Sequence, residues 1–344
     1  TRCHHRVSSC VLLTLTTMPL MKQLHILISV LLICFFVTSL KAEDELPSIE
    51  AIKDRITQTL SLIKNLQVEE KTVKRQRDYV REDDIYQMNR ESTWTLTSDL
   101  KRHYVSTGES LNFNKEGATK VPYKAELAYD GTIARSIRYL SRNLTRPFAG
   151  QVDDYPTTHT MNPMKLTVFW EGKKTLLDII SQRPYHVIAN EEIYGRDAYV
   201  MIGDPIDRDG WHWNHRIHFD MELGTQLKVA YVMKRPDAED WIEYATWSGL
   251  DHEEVIPGVW LPKKYRYYSF TVKEDGSPIE LFGGMIGSFS NWKVNQDIPA
   301  DRFTMIFPDN LPVNDQRPKQ NGRLMSKDEI KQLNAEAKQL GIRN

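Results

Sequence analysis

The chain has 344 residues, 40% of them hydrophobic, and carries 45 basic against 46 acidic side chains. Beyond residue 42 the count is 41 basic against 46 acidic, a net charge of −5, and this mild acidity argues against nucleic acid as a partner. All three cysteines, Cys3, Cys10 and Cys34, precede residue 43, so the rest of the chain has no disulfide and no thiolate chemistry.

Residues 21–42 have the features of a secretory signal peptide. A basic start at Met21-Lys22 leads into an apolar run over 24–40, and Ala42 is a small residue suited to cleavage. The competing interpretation is an uncleaved membrane anchor, because a run of 17 residues is at the lower limit for crossing a bilayer. We predict an exported protein, soluble in the periplasm or cell envelope after cleavage. Residues 1–20 are interpreted as a misassigned upstream segment.

An amphipathic helix is predicted over residues 47–65, where apolar residues recur every three or four positions: Ile49, Ile52, Ile56, Leu60 and Ile63. Short alternating segments follow. Residues 94–105 predict one or two strands, and residues 124–139 a hairpin that turns at Asp130-Gly131. A short helix over 173–181 and a second hairpin over 185–202, turning near Tyr194-Gly195, come next.

The clearest strand signal lies in residues 211–219. Apolar side chains and His215 occupy the odd positions and polar side chains the even positions, which is typical of a strand with one buried face. A turn over 222–225 leads into a return strand, and residues 241–247, 259–272 and 281–294 continue the series. Strands joined by short turns favour an antiparallel meander.

The C-terminal residues 311–344 predict a polar linker and a helix. Ser326 and Glu329 have the spacing of a capping box, and the residues after them form an apolar stripe. The pattern leaves open whether this helix packs on the sheet.

No catalytic or metal-binding motif is present, so we predict neither enzymatic activity nor a cofactor nor a metal. The spacing of His212, His215 and His218 on a strand puts His215 on the opposite face from the other two, which excludes one shared zinc. The acidic run over 251–254 leaves a hydrolase as the last-ranked alternative.

Aromatic residues are concentrated in one region, with five of the eight tryptophans between residues 211 and 260. They either fill the core of a large sheet or line an apolar concavity that accepts a lipid. The candidate lining, chosen by alternation along the strands, consists of Trp211, Trp213, Ile217, Phe219, Leu227, Val229 and Tyr231.

Four segments resemble the outer-membrane lipoprotein-sorting (LolA-like) superfamily. They are the N-terminal helix leading into Leu66-Gln67-Val68, the turn at Tyr129-Asp130-Gly131, residues 192–200 with 219–224, and residues 294–303 ending in Phe307-Pro308. The resemblance covers residues 46–310, within a half-barrel domain predicted over residues 43–310, and implies a mainly β (α+β) fold. In that fold a curved antiparallel sheet forms an incomplete half β-barrel, with helices over its concave face. The region 140–184 and the C-terminal tail exceed the length typical of the carriers.

Two functions follow as hypotheses. The first is binding of a lipid, an acyl chain or a lipidated protein in the apolar concavity. The second is an interaction or regulatory protein of the envelope, with a filled aromatic core, no lipid ligand and a protein partner held by its loops or C-terminal helix.

Overall fold

A computed structural model describes residues 46–77, 85–115, 117–140, 142–156, 163–169, 173–272, 278–318, 320 and 322–342. Within these ranges, sixteen strands form one large curved sheet that does not close. Every strand pair is antiparallel except one. The predicted fold class, a mainly β protein built on an open antiparallel sheet, is therefore confirmed. The predicted signal peptide and upstream segment lie outside the described residues.

The strands are β1 (Asn65–Arg77), β2 (Ile85–Thr97), β3 (Arg102–Asn114), β4 (Gly117–Tyr129), β5 (Ala134–Leu140), β6 (Asn143–Asp153), β7 (Tyr185–Ile193), β8 (Arg196–Gly203), β9 (Ile206–Arg208), β10 (Trp211–Asp220), β11 (Thr225–Lys234), β12 (Ile242–Ile256), β13 (Val259–Val272), β14 (Pro278–Val294), β15 (Val313–Asp315) and β16 (Arg323–Leu324). The helices are α1 (Ile49–Ser61), α2 (Leu176–Ser181) and α3 (Lys327–Ile342). Two short 3₁₀ turns cover Pro163–Leu166 and Ala300–Phe303.

The chain enters the sheet in its middle. Strands β1 to β6 run outward in sequence order to one side. The chain then crosses to the far edge at β7 and returns strand by strand to β14, which pairs with β1 along a seam from Leu66–Val294 to Gln76–Gly283. The short strand β9 pairs with β10 beside this path. Two meanders are thus joined side by side at one seam.

Turn residues fix the hairpins where the sequence predicted them. Tyr194 and Gly195 both have positive φ, at 54° and 78°, as a two-residue hairpin turn requires. Asp130 accepts backbone hydrogen bonds from Thr132 and Ile133, each of 2.9 Å, and closes the turn between β4 and β5. Both predicted turns are confirmed.

Helix α1 packs on the concave face of the sheet. Ser48 caps it by accepting a 3.2 Å hydrogen bond from the Ala51 N–H, and Ile52 and Ile56 are fully buried beneath it. The Arg55 guanidinium donates to the carbonyls of Met221 and Glu222 in the β10–β11 turn, at 3.0 and 2.9 Å. The helix is therefore fastened to the sheet by both apolar burial and a polar clamp.

The C-terminal tail packs against the sheet, which the sequence left open. Strand β15 pairs in parallel with β6, and Val313 is fully buried. Helix α3 begins with the predicted capping box, in which the Ser326 N–H donates to Glu329 at 2.7 Å and the Glu329 N–H to Ser326 at 3.3 Å. Leu333 of α3 joins a second core, which also contains Phe307, Val313 and the β4–β6 residues Ala128, Ile137 and Val152.

None of the helices in the described ranges combines the length and the apolar character that a membrane crossing needs.

Candidate functional site

The predicted lining residues fall at different depths on the concave side of the sheet. Ile217, Phe219 and Val229 are fully buried in the main core, beneath helices α1 and α2. Tyr231 packs against the same core but is only partly buried. Trp211 and Trp213, nearer the start of β10, are also partly buried. The three deep residues and Tyr231 are therefore together, and this part of the concave face is filled by protein.

Leu227 departs from the alternation that the sequence suggested. It packs with Ala198 and Leu223 in a separate small cluster. The cause is a β-bulge: His218 pairs with Lys228 and Phe219 with Gln226, which leaves Leu227 as the extra residue of β11. One extra residue reverses the face on which the following side chains lie.

A cluster of aromatic rings lies at the rim of the buried face. Trp213 meets Tyr244 edge to face at a centroid distance of 5.1 Å, and Tyr231 meets Tyr244 at 6.0 Å. His215 contacts the Tyr231 ring at 4.8 Å. Trp213, His215, Tyr231 and Tyr244 are all partly buried. We call these four residues the aromatic rim.

The buried part of the face is covered by residues 163–169 and 173–181, which we call the cover segment. Its apolar side chains are buried against the core: Met164, Leu166, Val168, Phe169, Leu176 and Ile180. Helix α2 begins at a capping box between Thr175 and Asp178, so it starts three residues later than predicted. The cover segment contains only one turn of 3₁₀ helix and six residues of α-helix.

Polar contacts fasten the cover segment to β11. The Gln226 side-chain amide donates to the carbonyl of Thr167 at 2.7 Å and also to that of Lys165. The Lys165 ammonium donates to the Tyr231 hydroxyl and lies 4.8 Å from the centre of that ring. Burial, together with the charges of Arg183 and Lys165, lowers the pKa of His215 to about 4. His215 is therefore neutral at pH 7.

A buried carboxylate lies deeper on the same face, on β1. Glu70 is 5% exposed and accepts hydrogen bonds from the Trp94 indole at 2.7 Å and from the Thr72 hydroxyl at 2.8 Å. The Tyr265 hydroxyl is its third donor. Burial, and next the charge of Glu70, raises the pKa of Tyr265 well above its usual value. Three donors satisfy this carboxylate, so it orients Trp94 and Tyr265 and is not placed to transfer protons to a ligand.

The histidines of β10 have separate partners. His212 contacts Asp207, His218 contacts Glu191 at 3.1 Å and His215 contacts Tyr231. Among the residues that the structure describes, no three His, Cys, Asp or Glu side chains are grouped to hold a metal ion.

Comparisons with known proteins place this chain by its fold. No family model and no curated protein matches its sequence. Solved structures do match, at about one residue in ten identical. An outer membrane lipoprotein-sorting protein domain from Vibrio parahaemolyticus is 9% identical and has a TM-score of 0.42, with 74% of this chain and 95% of that chain covered.

Two further solved structures have similar scores. A DUF1329 family protein from Desulfovibrio piger is 10% identical over 74% of this chain and 96% of its own, with a TM-score of 0.41. A LolA superfamily protein from Nitrosomonas europaea is 10% identical over 75% and 98%, with a TM-score of 0.39. The resemblance to LolA-like proteins drawn from the sequence is confirmed as a resemblance. All three TM-scores lie below 0.5, so the function proposed below rests on the chain's own residues.

Several residues of this site carried no signal in the sequence. Glu70 lies in a charged stretch, Glu69-Glu70-Lys71, that looks solvated when read alone. Lys165 and Gln226 become partners only because the cover segment lies across β11. Tyr244 joins the aromatic rim at a second bulge, where Tyr231 pairs with Ala245 and Val232 with Glu243. The one usable signal was the density of aromatic residues between positions 211 and 268.

Proposed function

We propose that this protein is exported to the cell envelope and binds the acyl chain of a lipid or of a lipidated protein on the concave face, beneath the cover segment. The observation that carries the proposal is the aromatic rim. It leaves large apolar rings partly exposed next to a face whose deeper residues, Ile217, Phe219 and Val229, are wholly apolar. Partly exposed aromatic residues beside an apolar face are the usual setting of a hydrophobic ligand site.

Binding would exchange one apolar cover for another. The cover segment buries six apolar side chains, and an acyl chain entering from the rim would take over their contacts with β10 and β11. Each buried CH₂ of the ligand contributes about 0.8 kcal/mol. Besides these apolar contacts, the polar contacts between the cover segment and β11 that must be released are those from Gln226 and that from Lys165 to Tyr231.

The test is titration with cis-parinaric acid, a fluorescent fatty acid, followed through energy transfer from tryptophan. We expect Trp213→Ala to weaken binding about tenfold, because truncating a large aromatic contact costs about 1–2 kcal/mol. Trp260→Ala is the matched control, since Trp260 packs in the separate cluster with Leu223 and Leu227. Unchanged affinity in Trp213→Ala and in Tyr231→Ala would refute binding at this face.

A second candidate is an envelope interaction protein with a filled core. The complete burial of Ile217, Phe219 and Val229 beneath the cover segment favours it. Native mass spectrometry of residues 43–344, purified gently from the source envelope, separates the two candidates. A discrete added mass of an acyl species supports the lipid binder, and an unliganded protein that shows no affinity for the fatty-acid probe supports the second candidate.

A deletion of residues 311–344 would not test that candidate cleanly. Leu311 and Val313 are buried, and β15 is paired with the sheet, so the deletion would uncover the second core. Substitutions on the exposed side of α3, such as Lys331→Glu together with Lys338→Glu, change no buried residue and are the better probe of a partner surface.

A further inference from the structure

A cavity of about 320 Å³ lies where two hairpins of the sheet separate. The pairing between β2 and β3 ends at Arg90–Gly108. Each of the two hairpins continues beyond that point, β1–β2 to Arg77–Ile85 and β3–β4 to Asn114–Gly117. The cavity is lined by residues of both hairpins and of β5. We call it the cleft.

The separation of the hairpins is fixed by specific contacts. Gly108 has φ of +143°, and a Cβ at this position would lie 2.8 Å from Arg90 Cα, so only glycine fits there. Beyond it, the Glu109 side chain accepts a 2.9 Å hydrogen bond from the Asn89 N–H. The Glu109 carbonyl accepts one of 3.0 Å from Arg90 Nε. These bonds satisfy the Asn89 N–H and the Glu109 carbonyl where the β2–β3 ladder stops. The separation of the two hairpins is therefore held by specific hydrogen bonds.

The lining of the cleft is basic. Of its nine lining residues three are cationic, Lys74, Arg90 and Arg138, and none is acidic. Arg90 lies 4.4 Å above the ring of Tyr123, also in the lining. Within the part of the chain that the structure describes, Lys74 and Arg138 form neither an ion pair nor a hydrogen bond. Lys74 is partly buried and Arg138 is exposed.

This gathering of like charges has a cost that an anion would remove. Burial, and next the charge of Arg90, lowers the pKa of Lys74. Both effects act against its charged form. The chain carries a net charge of −1 overall, so three cations without a lining carboxylate are not a reflection of general basicity. An anion in the cleft would compensate all three.

We propose that the cleft binds a phosphate monoester. Arginine presents a planar fork of donors that matches phosphate oxygens, and lysine adds a point charge. Gln76 and Ser110 supply neutral hydrogen-bond donors in the same lining, and Tyr123 and Leu111 give the esterified group an apolar surface. The phosphate belongs either to a lipid headgroup or to a soluble phosphate ester. This site goes beyond the acyl-chain proposal, because it is built by β1–β5 and shares no residue with the aromatic rim.

The experiment uses two probes against the whole protein. The first is sn-glycerol 3-phosphate, titrated by calorimetry. The second is a set of vesicles containing phosphatidic acid, with phosphatidylcholine vesicles as reference, measured by flotation. The variants are Arg138→Gln and Lys74→Met, which remove charge without breaking a hydrogen bond within the described residues. Arg75→Gln is the matched control, since Arg75 neighbours Lys74 on β1 but is exposed and absent from the cleft lining.

We expect each cleft variant to weaken binding at least tenfold and the Arg75→Gln control to bind as the unmodified protein does. Loss of glycerol 3-phosphate binding in the variants supports a soluble ester, and loss of phosphatidic acid binding alone supports a lipid headgroup. The proposal is overturned if the unmodified protein binds neither probe. It is also overturned if both cleft variants bind as tightly as the unmodified protein, or if Arg75→Gln weakens binding as much as they do. Near-ultraviolet circular dichroism checks that each variant is folded. Fatty-acid binding by Trp213→Ala is measured in a separate assay. The acyl-chain proposal and the phosphate proposal can therefore be refuted independently of each other.

Discussion

Replacing Gly287 by alanine tests how Tyr265 is packed across β13 and β14. The new Cβ would lie 2.5 Å from Tyr265 Oη and still closer to two ring carbons. The ring cannot move away, because Tyr265 is 0% exposed and its hydroxyl is bonded to Glu70 and Thr72. Overpacking of this kind costs about 1–3 kcal/mol, and the lower entropy of the unfolded alanine chain returns up to about 1 kcal/mol. We expect Gly287→Ala to lower the free energy of unfolding by about 1–2 kcal/mol.

Guanidinium unfolding followed by tryptophan fluorescence at pH 7 measures this loss. Gly284→Ala on the same strand is the control, because its Cβ would meet the ring of Tyr268 at 3.3 Å and that ring is only partly buried. Its stability should stay within about 0.5 kcal/mol of the original. In a Tyr265→Ala background, Gly287→Ala should cost nothing further. Equal midpoints for Gly287→Ala and Gly284→Ala would refute the reasoning.

Three further predictions concern the two cores and the site. Ile56→Ala, at a fully buried position, should lower the free energy of unfolding by about 2–5 kcal/mol in denaturant, and the exposed Leu62→Ala by less than about 0.5. Leu333→Ala should lower it by about 2–4 kcal/mol if α3 is part of the fold, and a loss no larger than that of exposed Leu340→Ala would contradict this packing. Because the pKa of His215 falls from 6.5 to about 4 on folding, the unfolded chain takes up its proton first. The contribution of His215 to the free energy of unfolding is therefore fully present above pH 6.5 and is lost as the pH falls toward 4. Denaturant unfolding at pH 6.5 and at pH 4 measures this loss of stability, and His215→Phe should make it smaller by about 1–3 kcal/mol.

The sequence was most informative where structure depends on neighbours along the chain. The turn at Tyr194-Gly195 needs two residues with positive φ, and glycine after a turn-forming residue indicates it directly. The capping box of α3 is equally local, since Ser326 and Glu329 bond to each other across three positions and Arg323, three residues before Ser326, also donates to Glu329. Such features can be predicted from three or four consecutive residues.

Other elements depend on distant partners and carried no local pattern. Strand β6 contains Pro147, which argues against a strand, yet it pairs with β5 across an irregular stretch near Tyr139. Strand β15 has only three residues and exists because β6 offers an edge. The bulge at Leu227 was also hidden, because alternation alone does not say where a strand gains one residue.

In the candidate site, too, some features follow from a local sequence pattern and others depend on residues far away in the chain. Alternation along β10 correctly grouped Ile217 with Phe219 on the buried face. It gave no information on depth, because the residues that cover them come from positions 163–181. The cleft had no sequence signal at all, since its cations lie on three different strands and meet only where β2 and β3 separate.

The seam between β1 and β14 has a consequence for how the chain folds. Asn65 and Asn295, which are bonded across it, lie 230 positions apart, whereas β1 to β6 and β10 to β14 join as successive hairpins. Closing so long a loop costs chain entropy. The contacts along the seam can offset this cost only after both meanders have formed. The seam should then form after the folding transition state, and truncation of Val294 should speed unfolding while leaving the refolding rate almost unchanged. Stopped-flow kinetics would measure both rates, and an equal slowing of refolding would place the seam in the folding nucleus instead.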